Sequence, residues 1–390
     1  MMVLGLPREL AGLGSALARH WPCGTPYGLR ITSVRRSASR QRDPHPWRLA
    51  LEVDWHDGAR RGRQRLHGLT WRDGGSHAAW AQARTQAWAD PAAGPSLLHL
   101  PELDMLLWAW PNDPGLPQLP ALLDPAAWPA GLGPVDLHRH QPGHRASLRR
   151  QGVWAKTLAA PVARRLACRF RHFAQVPAAV MHVPRLIAVD AHTLFQADAP
   201  VRPLRLADRP ADHAPALAAA LAAVHQAPRH LGGRRSGDHW PRAIERRRRK
   251  LRRVLPVAAP MIDRVADGLL AQAHAVATGP STLLHGDAHL DQFGVDAQGR
   301  LWMFDLDEMC CGDPLEDLAA VLSRDGLPPG IAGRLQAAYR EAAPALWCPQ
   351  RLRWHRGAQA LLQATRAFVF QVPDWAAVAE RRLQEARSWL

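Results

Sequence analysis

The chain has 390 residues, 47% of them hydrophobic and 22% charged, proportions of a folded globular protein that exclude a fibrous, collagen-like or largely unfolded chain. Fifty Lys+Arg against 34 Asp+Glu leave a net charge of +16, a field that favours anionic partners such as nucleotides, nucleic acid or an acidic membrane surface. Only Lys156 and Lys250 are lysines, so arginine carries the excess in a chain also rich in Ala and Pro, and a coding bias accounts for the charge as well as a functional basic face does.

The five cysteines, Cys23, Cys168, Cys310, Cys311 and Cys348, are odd in number and include no C-x-x-C pair, which argues against a disulfide framework and a cysteine-bound metal. The first residues carry no basic segment ahead of an apolar core, and no run of about 18 apolar residues follows anywhere. A cytoplasmic, reducing setting without membrane association is the expectation.

From Trp47 to His56 apolar and polar residues alternate, the period of a half-buried strand, and Asp57-Gly58 offers a turn. Leu66 to Trp71 is a second short run of this kind, ending at Asp73-Gly74-Gly75, so the region is expected to form antiparallel hairpins, and Met105 to Trp110 is a short apolar run. The Pro- and Gly-rich stretch from Pro111 to Pro134 marks a candidate boundary. Three strands follow over Leu137–Gln141, Ala146–Arg149 and Val153–Thr157, the first two joined by a Pro142-Gly143 turn. Helical spacing of Val162, Leu166, Phe170 and Phe173 predicts a helix from Pro161 to about Ala174. A hairpin over Leu186–Val189 and Thr193–Gln196 precedes helices at Ala214–His225, Ala243–Val254, Met261–Ala277, Gly330–Ala342 and Gln350–Phe370. A sheet-rich half followed by a helix-rich half gives an α+β, bilobal reading.

The segment from Leu283 to Asp307 carries the chemistry: a polar loop, His285-Gly286-Asp287-Ala288-His289-Leu290-Asp291-Gln292, feeds one strand, and a turn at Asp296 to Gly299 leads to a return strand ending at Asp305 and Asp307. Such a hairpin brings Asp287 and Asp305 near one another. That suits phosphoryl transfer, in which one carboxylate orients a hydroxyl nucleophile and another holds magnesium on the nucleotide phosphates. Gln292 offers a neutral oxygen to the same ion.

The motifs H-G-D-A-H-L-D-Q, F-D-L-D-E-M and G-D-P-L-E-D-L-A, in order over residues 283–320, resemble those of the aminoglycoside phosphotransferase and choline kinase family, whose fold is related to protein kinases. The resemblance implies a catalytic carboxylate at Asp287, magnesium ligands at Gln292 and Asp305, and structural acids at Asp313 and Asp317 that brace the loop. Family members usually carry H-G-D-x-H-x-x-N, so Gln292 departs from the pattern in a way similar to maltokinase-like sugar kinases. Val153-Trp154-Ala155-Lys156 resembles the V-A-x-K strand whose lysine holds nucleotide phosphates. No G-x-G-x-x-G loop precedes it, and the turn before Arg145 is the nearby segment that could cover phosphates. Leu194 to Asp198 resembles the family's hinge strand, which implies adenine contacts around Gln196 and Asp198. The helix from Pro161 contains no Asp or Glu, so the usual acidic partner of the lysine is missing or comes from elsewhere.

These readings divide the chain into an N-terminal β-rich cap-like region at 1–134, a kinase-like N-lobe at 135–205 and a helical C-lobe at 206–390. They imply an ATP- and Mg²⁺-dependent small-molecule kinase acting on a hydroxyl. Polycationic aminoglycosides call for a strongly acidic pocket, which this basic chain does not announce, so a neutral sugar or similar alcohol is favoured over an antibiotic. The missing helix acid and absent glycine loop leave open a catalytically silent, nucleotide-binding regulatory protein. The Arg242–Arg253 run raises nucleic-acid binding, but no recognised nucleic-acid module accompanies it.

Overall fold

A computed structural model describes residues 10–22, 24–36, 47–91, 94–173, 180–206, 208–229, 238–277, 279–323, 327 and 329–390. The chain divides into two compact units, residues 1–161 with 366–378 and residues 162–365 with 379–390. Cys23 and Ala174 lie outside the described residues.

The first unit begins with helix α1 (Leu13–His20) and strands β1 (Thr25–Arg36), β2 (Trp47–His56) and β3 (Arg61–Thr70), followed by α2 (Gly75–Ala83), β4 (Leu97–Leu100) and β5 (Met105–Ala109). These strands form one antiparallel sheet in the order β1-β2-β3-β5-β4. The alternation along β2 sets its faces. Trp47, Leu49, Leu51, Val53 and Trp55 are all buried, while Glu52 on the other face pairs with Arg30 of β1 at 2.8 Å and Arg65 of β3 at 3.1 Å.

Helix α3 (Leu119–Leu122) leads to an antiparallel meander of β6 (Leu132–Gln141), β7 (Arg145–Gln151) and β8 (Val153–Leu158). Its register pairs Arg145 with Leu158 and Ser147 with Lys156. Ala146, Leu148, Val153, Ala155 and Thr157 are buried on one face, so Arg145, Ser147, Trp154 and Lys156 share the other.

The second unit starts with α4 (Ala163–Phe173) and the antiparallel hairpin of β9 (Leu186–Val189) and β10 (Thr193–Ala197). It continues through β11 (Val201–Pro203), α5 (Pro210–Gln226), α6 (His239–Val254) and α7 (Ala259–Ala277) to the strands of the polar loop, β12 (Thr282–Leu284), β13 (Phe293–Asp296), β14 (Leu301–Met303) and β15 (Cys310–Gly312). Helices α8 (Leu315–Leu322), α9 (Pro329–Ala342), α10 (Pro349–Val369) and α11 (Trp375–Ser388) follow, and each of the last two has residues assigned to both units. The mixed α+β architecture is the one the sequence predicts.

Its core gathers Leu217, Ala218 and Leu221 of α5, Leu335 and Tyr339 of α9, and Leu318 and Val321 of α8 around Phe293, Leu301 and Met303. β13 pairs with both β11 and β14, and β12 pairs with β15 in the register Leu283↔Cys311. The segment from Thr282 to Gly312 is thereby tied at its base while its hairpin is held by a second sheet, which fixes the two loops between them. Arg248 of α6 is engaged by Asp263 at 3.1 Å, Glu245 at 3.3 Å and Asp267, so part of the basic run is neutralised by acids of its own unit. Among the described residues no helix is long and apolar enough to cross a membrane, and Cys168, Cys310, Cys311 and Cys348 form no disulfide.

Candidate active site

Asp287 follows directly on a glycine that the backbone requires. Gly286 has φ +85°, and a Cβ there would stand 2.1 Å from the carbonyl oxygen of Glu308, so any side chain would collide with backbone as well as strain the turn. The turn is locked by His285. Its Nε2–H donates to the Phe304 carbonyl at 2.8 Å, which leaves Nδ1 as the acceptor for the Asp287 N–H at 3.3 Å. One buried imidazole thus joins the loop before Asp287 to the strand end before Asp305.

Asp317, on the first turn of α8, holds the same loop from below. Its carboxylate accepts the backbone N–H groups of His285 at 2.6 Å and Gly286 at 3.0 Å. On its other side His225 of α5 approaches Oδ2 at 3.3 Å through Nε2, while His225 Nδ1 lies 2.6 Å from the Tyr339 hydroxyl. Burial pushes the Asp317 carboxyl up, but hydrogen bonding and charge from His225, the charge of His285 and the Gly286 N–H outweigh it and hold the group below the usual carboxylate range. Burial, followed by the charges of Asp317 and Asp313, raises the Tyr339 phenol well above its ordinary value, so it serves as a neutral donor. Asp313 looks elsewhere: it pairs with Arg351 at 2.6 Å and accepts the Leu315 N–H at 2.9 Å.

Asp305 takes the left-handed conformation, φ 56° and ψ 54°, which Asp tolerates better than most residues. This turn aims its carboxylate back at the loop. Gln292 is buried, and its Nε2 lies 3.4 Å from Asp305 Oδ2 and 3.2 Å from His289 Nε2. His289 Nε2 in turn stands 3.8 Å from Asp287 Oδ2. Asp287, His289, Gln292 and Asp305 form one continuous polar cluster, with the Asp287 side chain about a quarter exposed. The donor set fits magnesium, which takes hard oxygen ligands and one or two carboxylates; the Gln292 amide, turned end for end, presents Oε1 beside Asp305.

The other predicted residues lie on β7, β8 and β10 or just beyond β10. Lys156 on β8 and Arg145 on β7 share the half-exposed face of the meander in the first unit. Gln196 on β10 and Asp198 just beyond it belong to the second, and Gln196 Nε2 is buried with no hydrogen-bond partner among the described residues. Helix α4 carries no acid; its Arg169 donates to the backbone carbonyl of Asp307 at 3.0 Å. Sequence reasoning missed His225 and Tyr339. The signal was available, since His225 falls four residues after Leu221 and Tyr339 four after Leu335, on the apolar stripes of their helices.

A model of the phosphotransferase enzyme family matches residues 153–355, more than half of the chain. The chain belongs to this family. Among solved structures, a choline/ethanolamine kinase family protein from Mesorhizobium loti is similar over 69% of this chain and 92% of its own, at 20% identity and a TM-score of 0.53. The choline kinase LicA from Streptococcus pneumoniae is similar over 66% of this chain and 94% of its own, at 13% identity and a TM-score of 0.51. At these identities the likeness establishes the fold, the kinase-like one that the three motifs imply. No curated protein sequence matches the chain. As a phosphotransferase-family member it is an enzyme of the kinase class, and the matched segment contains Asp287, Gln292, Asp305 and Asp317 as well as Lys156.

Proposed function

We propose that this phosphotransferase moves the γ-phosphoryl group of ATP to a hydroxyl of a small neutral molecule, a sugar or similar alcohol. The observation that carries the reading is the polar cluster of Asp287, His289, Gln292 and Asp305 on two loops pinned by His285 and Asp317. Asp287 is the group that accepts the proton of the acceptor hydroxyl. As the acceptor oxygen bonds to the γ-phosphorus, the bond to the β–γ bridging oxygen breaks and ADP leaves with that electron pair. Because the His285 and Asp317 contacts fix the loop before substrate arrives, Asp287 needs little reorganisation to meet the hydroxyl.

Gln292 and Asp305 would hold Mg²⁺, which when bound offsets charge on the transferred phosphate. Lys156 and Arg145, on one face of the meander, are the cations assigned to the nucleotide phosphates. Gln196 has a buried donor in need of an acceptor, which supports a place for it and Asp198 at the adenine side. The net charge of +16 supports a neutral acceptor over a polycationic one.

The absence of an acid on α4, where Arg169 reaches the Asp307 carbonyl, favours a second reading: a family member that binds nucleotide without turning it over. A panel of sugars, amino sugars, choline and related alcohols, scored for ADP formation above the acceptor-free rate, decides between the two. Acceptor-dependent ADP release from a neutral sugar supports the first; ATP binding without ADP release from any acceptor supports the second.

A further inference from the structure

Three metal-ligating side chains, two of them buried, converge in the first unit, before the segment that the family model matches. His67 comes from β3, Asp113 from the loop after β5 and His140 from the end of β6. His140 Nε2 lies 2.8 Å from Asp113 Oδ2. His67 Nε2 lies 3.8 Å from Asp113 Oδ1, beyond hydrogen-bond reach. One ligand atom from each residue falls within 4.8 Å of the other two. Zinc bonds of about 2.0–2.1 Å in a tetrahedron place neighbouring donors about 3.3 Å apart, a spacing that the two distances bracket.

We propose that His67, Asp113 and His140 bind a divalent transition-metal ion of the zinc class, which clips β6 to the N-terminal sheet.

The donor chemistry suits such an ion. Two imidazole nitrogens and one carboxylate oxygen favour zinc and its neighbours over magnesium or calcium, which take oxygen. The set is oriented in advance. Asp113 Oδ1 accepts the Gly115 N–H and Oδ2 the Gly143 N–H, both at 2.8 Å, so its carboxylate is fixed by backbone on two sides. His67 is stacked on Trp108 with ring centroids 5.4 Å apart, and Trp110 meets the His140 ring edge-on at 5.3 Å. His67 and Asp113 are almost fully buried and His140 is one-seventh exposed, which leaves the His140 side for an ion to enter.

The test uses the full chain, stripped with chelator and returned to zinc in excess magnesium so that hard-oxygen sites do not compete. The expected result is one zinc per chain retained through gel filtration, a cobalt-substituted form with the strong visible absorption of tetrahedral coordination, and an affinity at least about 100-fold weaker in His140→Gln. His67→Gln should show the same loss. Circular dichroism of each stripped variant checks that it is folded; should both variants unfold, the cobalt spectrum of the parent chain decides alone. Sub-stoichiometric zinc in the parent, an octahedral cobalt spectrum, or equal zinc affinity in folded variants and parent would overturn the assignment.

Discussion

The carboxylate of Asp317 accepts the backbone N–H of His285 at 2.6 Å, across 32 residues of sequence. This contact makes the position of Asp287 a property of helix α8 and, through His225 and Tyr339, of α5 and α9 as well. Asp287 itself is partly exposed, so the precision of its placement comes from the buried groups around it, His285, Asp317 and His225.

Asp317→Asn should therefore damage both folding and rate. It removes a buried charge beside His225 and leaves an amide that cannot serve both N–H groups with equal strength. A loss of about 3–5 kcal/mol is expected in chemical denaturation, the range for breaking a buried charged pair. Turnover of whatever folds should fall at least tenfold, and unchanged stability in a urea titration would detach Asp317 from this role.

The same carboxylate sets an acid limit. Its folded-state pKa lies below the ordinary value, with burial opposing the shift and His225 the main partner that produces it. Stability from it is thus fully present above about pH 4 and is lost as pH falls toward the folded value, because the unfolded chain binds the proton first. Stability measured between pH 6 and pH 3 should fall more gently in Asp317→Asn than in the parent. Parallel curves would show that another group dominates acid unfolding.

For Asp287→Ala the outcome should be different in kind. The side chain has no part in the bracing contacts, so the melting temperature and ATP affinity should stay close to the parent's. Phosphoryl transfer should drop by about 10²–10⁴-fold, the span attributed to positioned acid–base groups. A variant within a factor of ten of the parent would remove Asp287 as the base.

Much of this was legible beforehand, for reasons specific to each element. The alternation from Trp47 to Trp55 declares β2 because one face must be buried, and H-G-D declares its loop because only glycine fits above the Glu308 carbonyl. Strand β1 was not legible: Pro26, Gly28 and a run of polar residues interrupt its period, and it forms by pairing along β2 with register shifts at Pro26/Gly28 and Ile31/Ser33. The His67–Asp113–His140 cluster was equally silent, since its members come from three distant segments with no local spacing to mark them. Long-range pairing, which leaves no short-range pattern, accounts for both omissions.

Lys156→Ala tests the nucleotide side. Deleting a phosphate-facing charge should weaken ATP binding and lower turnover together, whereas loss of a solvated strand-end lysine should change neither. Isothermal titration with a non-hydrolysable ATP analogue separates the cases: an affinity equal to the parent's would return Lys156 to the surface.

Gln292→Asn is the most discriminating substitution, because it restores the commoner family residue at the one position of H-G-D-x-H-x-x-N where this chain departs. Asn presents the same carbonyl on an arm one methylene shorter. In the structure the Gln292 amide just reaches Asp305, 3.4 Å away, from the end of a 3₁₀ turn whose backbone is fixed by the Gln292 N–H to His289 carbonyl bond at 2.8 Å and by the Phe304 N–H to Gln292 carbonyl bond at 2.9 Å. The turn cannot advance to make up the missing length without breaking both bonds. Magnesium tolerates little error in ligand distance, so the shorter arm should withdraw an oxygen from the ion. The magnesium concentration for half-maximal ATP binding should rise in Gln292→Asn while the melting temperature changes little. Coincident magnesium titrations in parent and variant would remove Gln292 from the ligand set and leave Asp305 as its sole member on these loops.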